Sequence, residues 1–255
     1  MLTSRGLRLT FRTVPPNDVN AKFTAQYMVR QLAAKRIAII HDTHVYGKGI
    51  AELTRQSLED LGTPPVLFEA LQPGQLVFAD LIQRMRGAEI DVVSYGGYPP
   101  SVGLLRRQMA EASFLPTLIA STANGSEEYY LIAGEAAEGT LVVADQRFNT
   151  AEFSQFEESL RAAYHMDSDV RNTRGYASIH IWAQAVEAAG TTDGIAVAQA
   201  LRFGTFHVFG IEASFHDNGN VQGPLGESGL WLWHDRKAVP LPPDSSARSE
   251  ALAPK

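Results

Sequence analysis

The sequence has 255 residues, with 22 lysines and arginines against 28 aspartates and glutamates, for a formal net charge of −6. That length holds one or two domains with a sizeable core, and the acidic balance argues against a nucleic-acid-binding protein. There is no cysteine, which excludes disulfides, thiol nucleophiles and thiolate metal sites.

No apolar run approaches the roughly 18 residues of a membrane span. The opening stretch, MLTSRGLRLTFRTVPP, lacks the apolar core and small-residue cleavage site of a secretory signal. Read as written, the chain is therefore expected to be cytoplasmic. In chain order, the first clear element is a strand over 37–40, followed by a helix over 49–61 with apolar residues at Ile50, Leu53, Leu58 and Leu61. A strand over 66–71 and a helix over 78–87 follow, the helix carrying Leu81, Ile82 and Met85 on one face. Next come a strand over 90–95, a helix over 100–113, a strand over 116–120, a short helix over 126–133 and a strand over 139–143. Such alternation predicts βαβ units and a parallel sheet covered by helices, an α/β fold. The character then changes to two long helices, 151–165 and 176–189, and a shorter one, 193–202. Strands are predicted over 208–215 and 230–234. FHDNGNVQG reads as a strand, a turn at Asn218-Gly219 and a return. The tail over 236–255, rich in proline and serine, is expected to be disordered.

The stretch RIAIIHDTHVYGKGIAEL passes from strand to helix through His41, Asp42, His44, Tyr46, Gly47 and Gly49. A metal site would need three or four converging ligands, and nothing nearby supplies the rest. The P-loop pattern is absent, although a bare helix N-terminus can still meet a phosphate. A plain turn, with Gly47 and Gly49 giving backbone freedom, is the simplest reading. Position offers a fourth: Tyr46 lies at the carboxyl end of a parallel strand, where ligands of such sheets bind. SYGGYPP, with Tyr98, and ASTANGS, with Thr122, repeat the arrangement after two further strands. Tyrosine joins an apolar face to a polar tip, which suits a small amphipathic ligand, and equally suits surface packing.

Catalytic patterns are weak. The GxSxG elbow is absent, and Glu127–Glu128 and Glu157–Ser159 read as solvated helix faces. Trp231 and Trp233 alternate in a strand, so at least one is expected in the core. The long helices carry apolar stripes, Phe153, Phe156, Leu160 and Tyr164 on the first and Ile179, Trp182, Val186 and Ala189 on the second. Stripes of this kind are buried against something.

The segments GLRLTFRTVPPND, AQYMVRQL, KRIAIIHDTHVYGKGIA, DVVSYGGYPPSVGLLRRQM, IAGEAAEGTLVV and GLWLWHD occur in that order. Together they resemble the leucine/isoleucine/valine-binding proteins, type I periplasmic binding proteins that serve ABC importers, from Leu2 to Asp235. The resemblance implies one complete parallel-sheet lobe, residues 14–144 with 230–235. It implies the C-terminal part of a second lobe over 147–226, with residues 1–13 a remnant of that lobe. Crossings between lobes would fall at 11–14, 143–146 and 227–230. The chain would be an N-terminally truncated member, impaired by the missing half, and its helices left without their sheet could be loose or self-associate. Tyr46 and Tyr98 match ligand-contacting tyrosines. The family's ammonium-binding glutamate falls on Thr122, and a further family tyrosine on about Arg171. The implied ligand is a small amino-acid-like or amide solute, the implied partners are permease subunits, and no enzyme activity, cofactor, metal or nucleic acid is expected. The alternative is a cytoplasmic regulator of the same fold that senses amides or amino acids.

Overall fold

The computed structural model describes residues 3–241. The chain divides into two compact units, one of Met1–Pro16 with Asp145–Ser228 and one of Asn17–Ala144 with Gly229 onward. It passes from one to the other at Pro16/Asn17, Ala144/Asp145 and Ser228/Gly229. Among the described residues no helix is long and apolar enough to cross a membrane.

The second unit is built on a seven-stranded sheet. Its helices and strands run α1 (Asn17–Arg30), β1 (Ile37–His41), α2 (Val45–Asp60), β2 (Leu67–Ala70), α3 (Ala79–Gly87), β3 (Val92–Gly96), α4 (Pro99–Glu111), β4 (Thr117–Ala120), α5 (Glu127–Ala133) and β5 (Leu141–Asp145). The spatial order β2-β1-β3-β4-β5 is parallel throughout. Every residue of β1 and β3 is buried, because helices cover both faces and each strand needs apolar side chains on both. Ile37 and Ile39 pack with Met28 of α1 and Leu58 of α2 in one core cluster. By alternation, Ala38 and Ile40 turn to the opposite face, and α3, α4 and α5 bury Met85, Leu105 and Tyr129.

Four expectations need correction here. The helix α1 was not anticipated, because its buried face is made of Asn20, Ala21, Thr24 and Ala25 as much as of Tyr27 and Met28. The helix α2 starts at Val45 rather than at 49, so Tyr46, Gly47 and Gly49 all lie in it. The helix starting at 176 in the sequence reading begins six residues earlier, at Val170 (α7, below). The tail expected to be disordered from 236 instead contributes an edge strand, Lys237–Pro240, which pairs antiparallel with Ser228–His234. An edge position tolerates Pro240, which has no N–H to donate. The rest of that tail, 242–255, lies outside the described residues.

The first unit holds α6 (Ala151–Tyr164), α7 (Val170–Ala189) and α8 (Gly194–Phe203), followed by the antiparallel strands β6 (Phe206–Val208), β7 (Ile211–Phe215) and β8 (Val221–Gln222). The last two strands in the chain are then β9 (Ser228–His234) and β10 (Lys237–Pro240) of the large sheet. Each long helix has a side-chain cap: Thr150 accepts from Phe153 N–H, Asp169 forms a capping box with Asn172, and Asp193 accepts from Ile195 and Ala196 N–H. The single strand expected over 208–215 is a hairpin turning at Phe209-Gly210, both at positive φ (55° and 71°). A bulky residue is costly in that conformation. Packing holds Phe209 there: its ring stacks on Phe148 and Tyr176 and meets Phe153 edge-on at 5.1 Å.

This unit therefore has a core of its own, which the sequence reading did not foresee. Its face of α7 is Ala177, Ile181 and Ala185. The expected stripe is rotated from it, leaving Ile179 66% and Trp182 48% exposed, and Tyr164 on α6 exposed as well. As expected, Trp233 is buried; its Nε1–H donates to the Asn124 carbonyl at 2.8 Å and its ring packs on Tyr129. Arg106 is buried beside them and donates to the carbonyls of Ala136, Pro116 and Glu138.

Burial pushes the Tyr129 phenol up to about 12, with the Thr140 hydrogen bond and the Arg106 charge pulling the other way. An unfolded tyrosine titrates near 10, so between about pH 10 and 12 the unfolded chain sheds a proton that the folded chain keeps, and stability falls as pH rises. Tyr95 is raised too, by burial and then by Asp42. Tyr129→Phe is thus expected to flatten, but not abolish, the alkaline loss of stability, at a neutral-pH cost of about 1 kcal/mol for the lost hydrogen bond. Urea denaturation at neutral and alkaline pH measures both; an unaltered alkaline slope in the variant would contradict the assignment.

Candidate functional site

The strand order 2-1-3-4-5 has a topological switch between β1 and β3: the chain leaves β1 through α2 toward one face and leaves β3 through α4 toward the other. The diverging helices open a crevice outside the carboxyl ends of those two strands, where ligands of open α/β sheets bind. The residues at this point are Asp42, directly after β1, and Gly97 and Tyr98, directly after β3.

Asp42 is buried, 5% exposed, and its carboxylate bridges the two strand ends. Oδ2 accepts the Tyr98 N–H at 2.9 Å and Oδ1 accepts the His44 N–H at 3.2 Å. Backbone donors to a carboxylate make charge-assisted bonds that satisfy a buried charge. The glycines beside it fit this packing. A Cβ at Gly47 would stand 2.0 Å from Asp42 Oδ1, and one at Gly97 2.4 Å from Oδ2, with Gly97 also at φ +147°. Gly49, by contrast, has open space around it and an ordinary helical backbone, so the freedom expected of both glycines is a close approach at Gly47 alone.

Above this brace stand the aromatic rings. Tyr46, on the first turn of α2, lies 5.5 Å from Tyr98, the N-cap of α4, at an interplanar angle of 41°. His44 meets Tyr98 edge-on at 5.5 Å, its Nδ1 3.4 Å from Asp42 Oδ2. Tyr98 is 44% exposed. His41 points inward: it is buried, donates from Nδ1 to the Asp42 carbonyl at 2.5 Å and packs on Phe68. The loop after β4 is tied to the same place. Ser121 Oγ accepts the Gly97 N–H at 3.2 Å and donates to the Gly97 carbonyl at 3.0 Å, and Asn124 Nδ2 donates to that carbonyl at 3.1 Å. Thr122 starts a short 3₁₀ turn, and its hydroxyl donates to the Val143 carbonyl at 2.8 Å.

Of the four residues singled out, Tyr46 and Tyr98 touch, and Thr122 lies on the next loop of the same sheet edge. Arg171 belongs to the other unit, exposed on the first turn of α7, with its backbone N–H given to the Asp169 cap. The sequence reading missed Asp42 as a brace, and with it Ser121 and Asn124; the Gly-Gly pair before Tyr98 was the available signal of close approach. Glu127 and Glu128 are exposed, as expected for a solvated face, but Glu157 is not: it is buried, paired with Arg147 and bonded to Ser168. Among the described residues, no three His, Asp or Glu side chains converge as metal ligands.

The chain matches the profile of the periplasmic binding protein family over residues 6–225. It is 30% identical to the leucine-, isoleucine-, valine-, threonine- and alanine-binding protein of Pseudomonas aeruginosa, a match covering 91% of this chain and 62% of that protein. It is 33% identical to Leu/Ile/Val-binding protein homolog 1 of Brucella suis, over 87% of this chain and 60% of that one. The chain thus spans about three fifths of these relatives' length. Its fold is similar to that of the leucine-binding protein LivK of Thermotoga maritima, with a TM-score of 0.83 at 19% identity, covering 94% of this chain and 69% of that one. It is also similar to LivJ of Streptococcus pneumoniae, crystallised with isoleucine, with a TM-score of 0.77 at 19% identity over 91% and 67% of the two chains.

Asp42→Ala would strand two backbone donors that now bond a charge, so we expect it to destabilise the second unit by about 2–4 kcal/mol. Gly97→Ala should also destabilise, through its backbone strain and its collision with the same carboxylate. The two losses should sum to more than that of the double variant, because removing the carboxylate relieves part of the collision. Strict additivity in urea denaturation would show that Asp42 and Gly97 do not share this contact.

Proposed function

The chain belongs to the periplasmic binding protein family, and from that premise we propose that it is the solute-binding component of an ABC importer for branched-chain amino acids or related small amides or acids. Members of the family are solute-binding proteins rather than enzymes, and full-length relatives act in the periplasm, the setting proposed for this one. Its partners in this reading are a small amphipathic solute and the permease subunits that receive it.

One observation carries the reading. At the switch point of the parallel sheet, two tyrosine rings stand 5.5 Å apart at the starts of two helices, beside strand ends braced by a buried carboxylate. A preformed aromatic shelf of this kind costs the solute little ordering when it binds, and its rings combine an apolar face with a polar edge. Thr122 flanks the shelf as a third proposed contact, and Arg171 is the contact proposed from the first unit. Capture and release require no bond to be made or broken.

Calorimetric titration of the chain with leucine, valine and small amides tests the reading through the shelf. Ring contacts contribute about 0.5–1.5 kcal/mol each beyond their area. The double variant Tyr46→Ala/Tyr98→Ala is therefore expected to bind at least about tenfold more weakly than the unaltered chain, with an unchanged far-ultraviolet circular dichroism spectrum. Equal affinity in a folded double variant would remove the shelf from the account.

A further inference from the structure

The charged groups around the shelf are already committed to one another. Asp42 is the sole carboxylate in the described loops that follow β1, β2, β3 and β4 up to Ser126, and both its oxygens accept backbone N–H groups, with His44 Nδ1 beside one of them. An ammonium group seated on the shelf would meet no free carboxylate there, and a desolvated cation without a partner is costly. The Thr122 hydroxyl, which donates to the Val143 carbonyl, keeps lone pairs that accept from such a group but carries no charge to pair with it.

Anions fare no better. A parallel sheet normally presents helix N-termini at its carboxyl edge, and these are ready anion sites. Here α4 opens with Pro99 and Pro100, which have no N–H to offer, and the Tyr98 N–H before them is spent on Asp42. The N-terminus of α2 already has the Asp42 carboxylate against it, bonded to the His44 N–H and packed on Gly47. That charge offsets the positive end of the helix and repels a second carboxylate. What these loops of the second unit leave for a solute is the two rings and neutral polar groups, the Arg171 contact proposed above belonging to the other unit.

We propose that the shelf selects an uncharged solute, a small branched or aromatic amide, over the zwitterionic amino acid or the free acid of the same skeleton. The proposal rests on the shelf being the solute site, as argued under the proposed function, and it makes Asp42, Pro99 and Pro100 determinants of specificity through the charges they cancel or the donors they withhold, and Thr122 one through being neutral.

The test compares three probes of one carbon skeleton on the unaltered chain by calorimetry: leucine, 4-methylpentanamide and 4-methylpentanoate. The amide is expected to bind at least about tenfold more tightly than either charged probe. Thr122→Glu, which places a carboxylate at the rim, is expected to shift the ratio toward leucine. Leucine or the acid binding as tightly as the amide to the unaltered chain, with that binding weakened by Tyr98→Ala, would overturn the inference and leave the shelf standing as the site. Binding that Tyr98→Ala does not change, or no binding by any probe, would overturn the shelf as the site and the inference with it.

Discussion

The hydrogen bond from the Tyr98 N–H to the Asp42 carboxylate joins the two strand ends at which the sheet changes direction. On either side of it the chain departs toward opposite faces, and this bond, with the Asp42 N–H donated to the Gly96 carbonyl, ties together the segments that carry Tyr46 and Tyr98. The carboxylate tolerates burial because backbone donors replace its water. Those donors come within reach because Gly47 and Gly97 have no Cβ to keep the loops apart. Ser121 and Asn124 extend the same tie to the loop after β4. The shelf is thus a consequence of topology and of one buried charge, and its aromatic rings are its exposed surface.

The two units draw their stability from different sources. The parallel sheet buries β1 and β3 completely between helices, with apolar side chains packed on each of its faces. The first unit has a cluster of its own in which Phe209, held at positive φ, is the common partner of Phe148, Phe153, Phe156 and Tyr176. Aromatic rings supply large buried area per residue, which lets three helices and a short antiparallel sheet close around a few side chains. Ile179 and Trp182 remain outside that cluster.

What the sequence made legible follows from burial. Strands covered on both faces are continuous apolar runs, so β1, β3, β4 and β5 could be read within a few residues, and their alternation with helices led to the parallel sheet. The helix α1 escaped because small and polar residues, Asn20, Ala21 and Thr24, fill much of its buried face. The start of α2 escaped because two glycines read as loop, whereas Gly47 is helical and pressed against Asp42. On α7, periodicity identified an apolar stripe but not which stripe is buried: the smaller residues Ala177 and Ala185 face the core and the larger Trp182 does not. Tyr46 and Tyr98 could be placed from strand ends alone. The role of Asp42 could not, because a carboxylate in a three-residue turn has the same sequence signature as a ligand, a cap or a brace.

The account stands on the brace, and amide hydrogen exchange at a single residue measures it. Tyr98 precedes a helix and its side chain is 44% exposed, so an unbonded amide there would exchange at the rate of an open loop. The account predicts that the Tyr98 N–H exchanges far more slowly than that in the unaltered chain and becomes fast in Asp42→Ala. Open-loop exchange of the Tyr98 amide in the unaltered chain would contradict it.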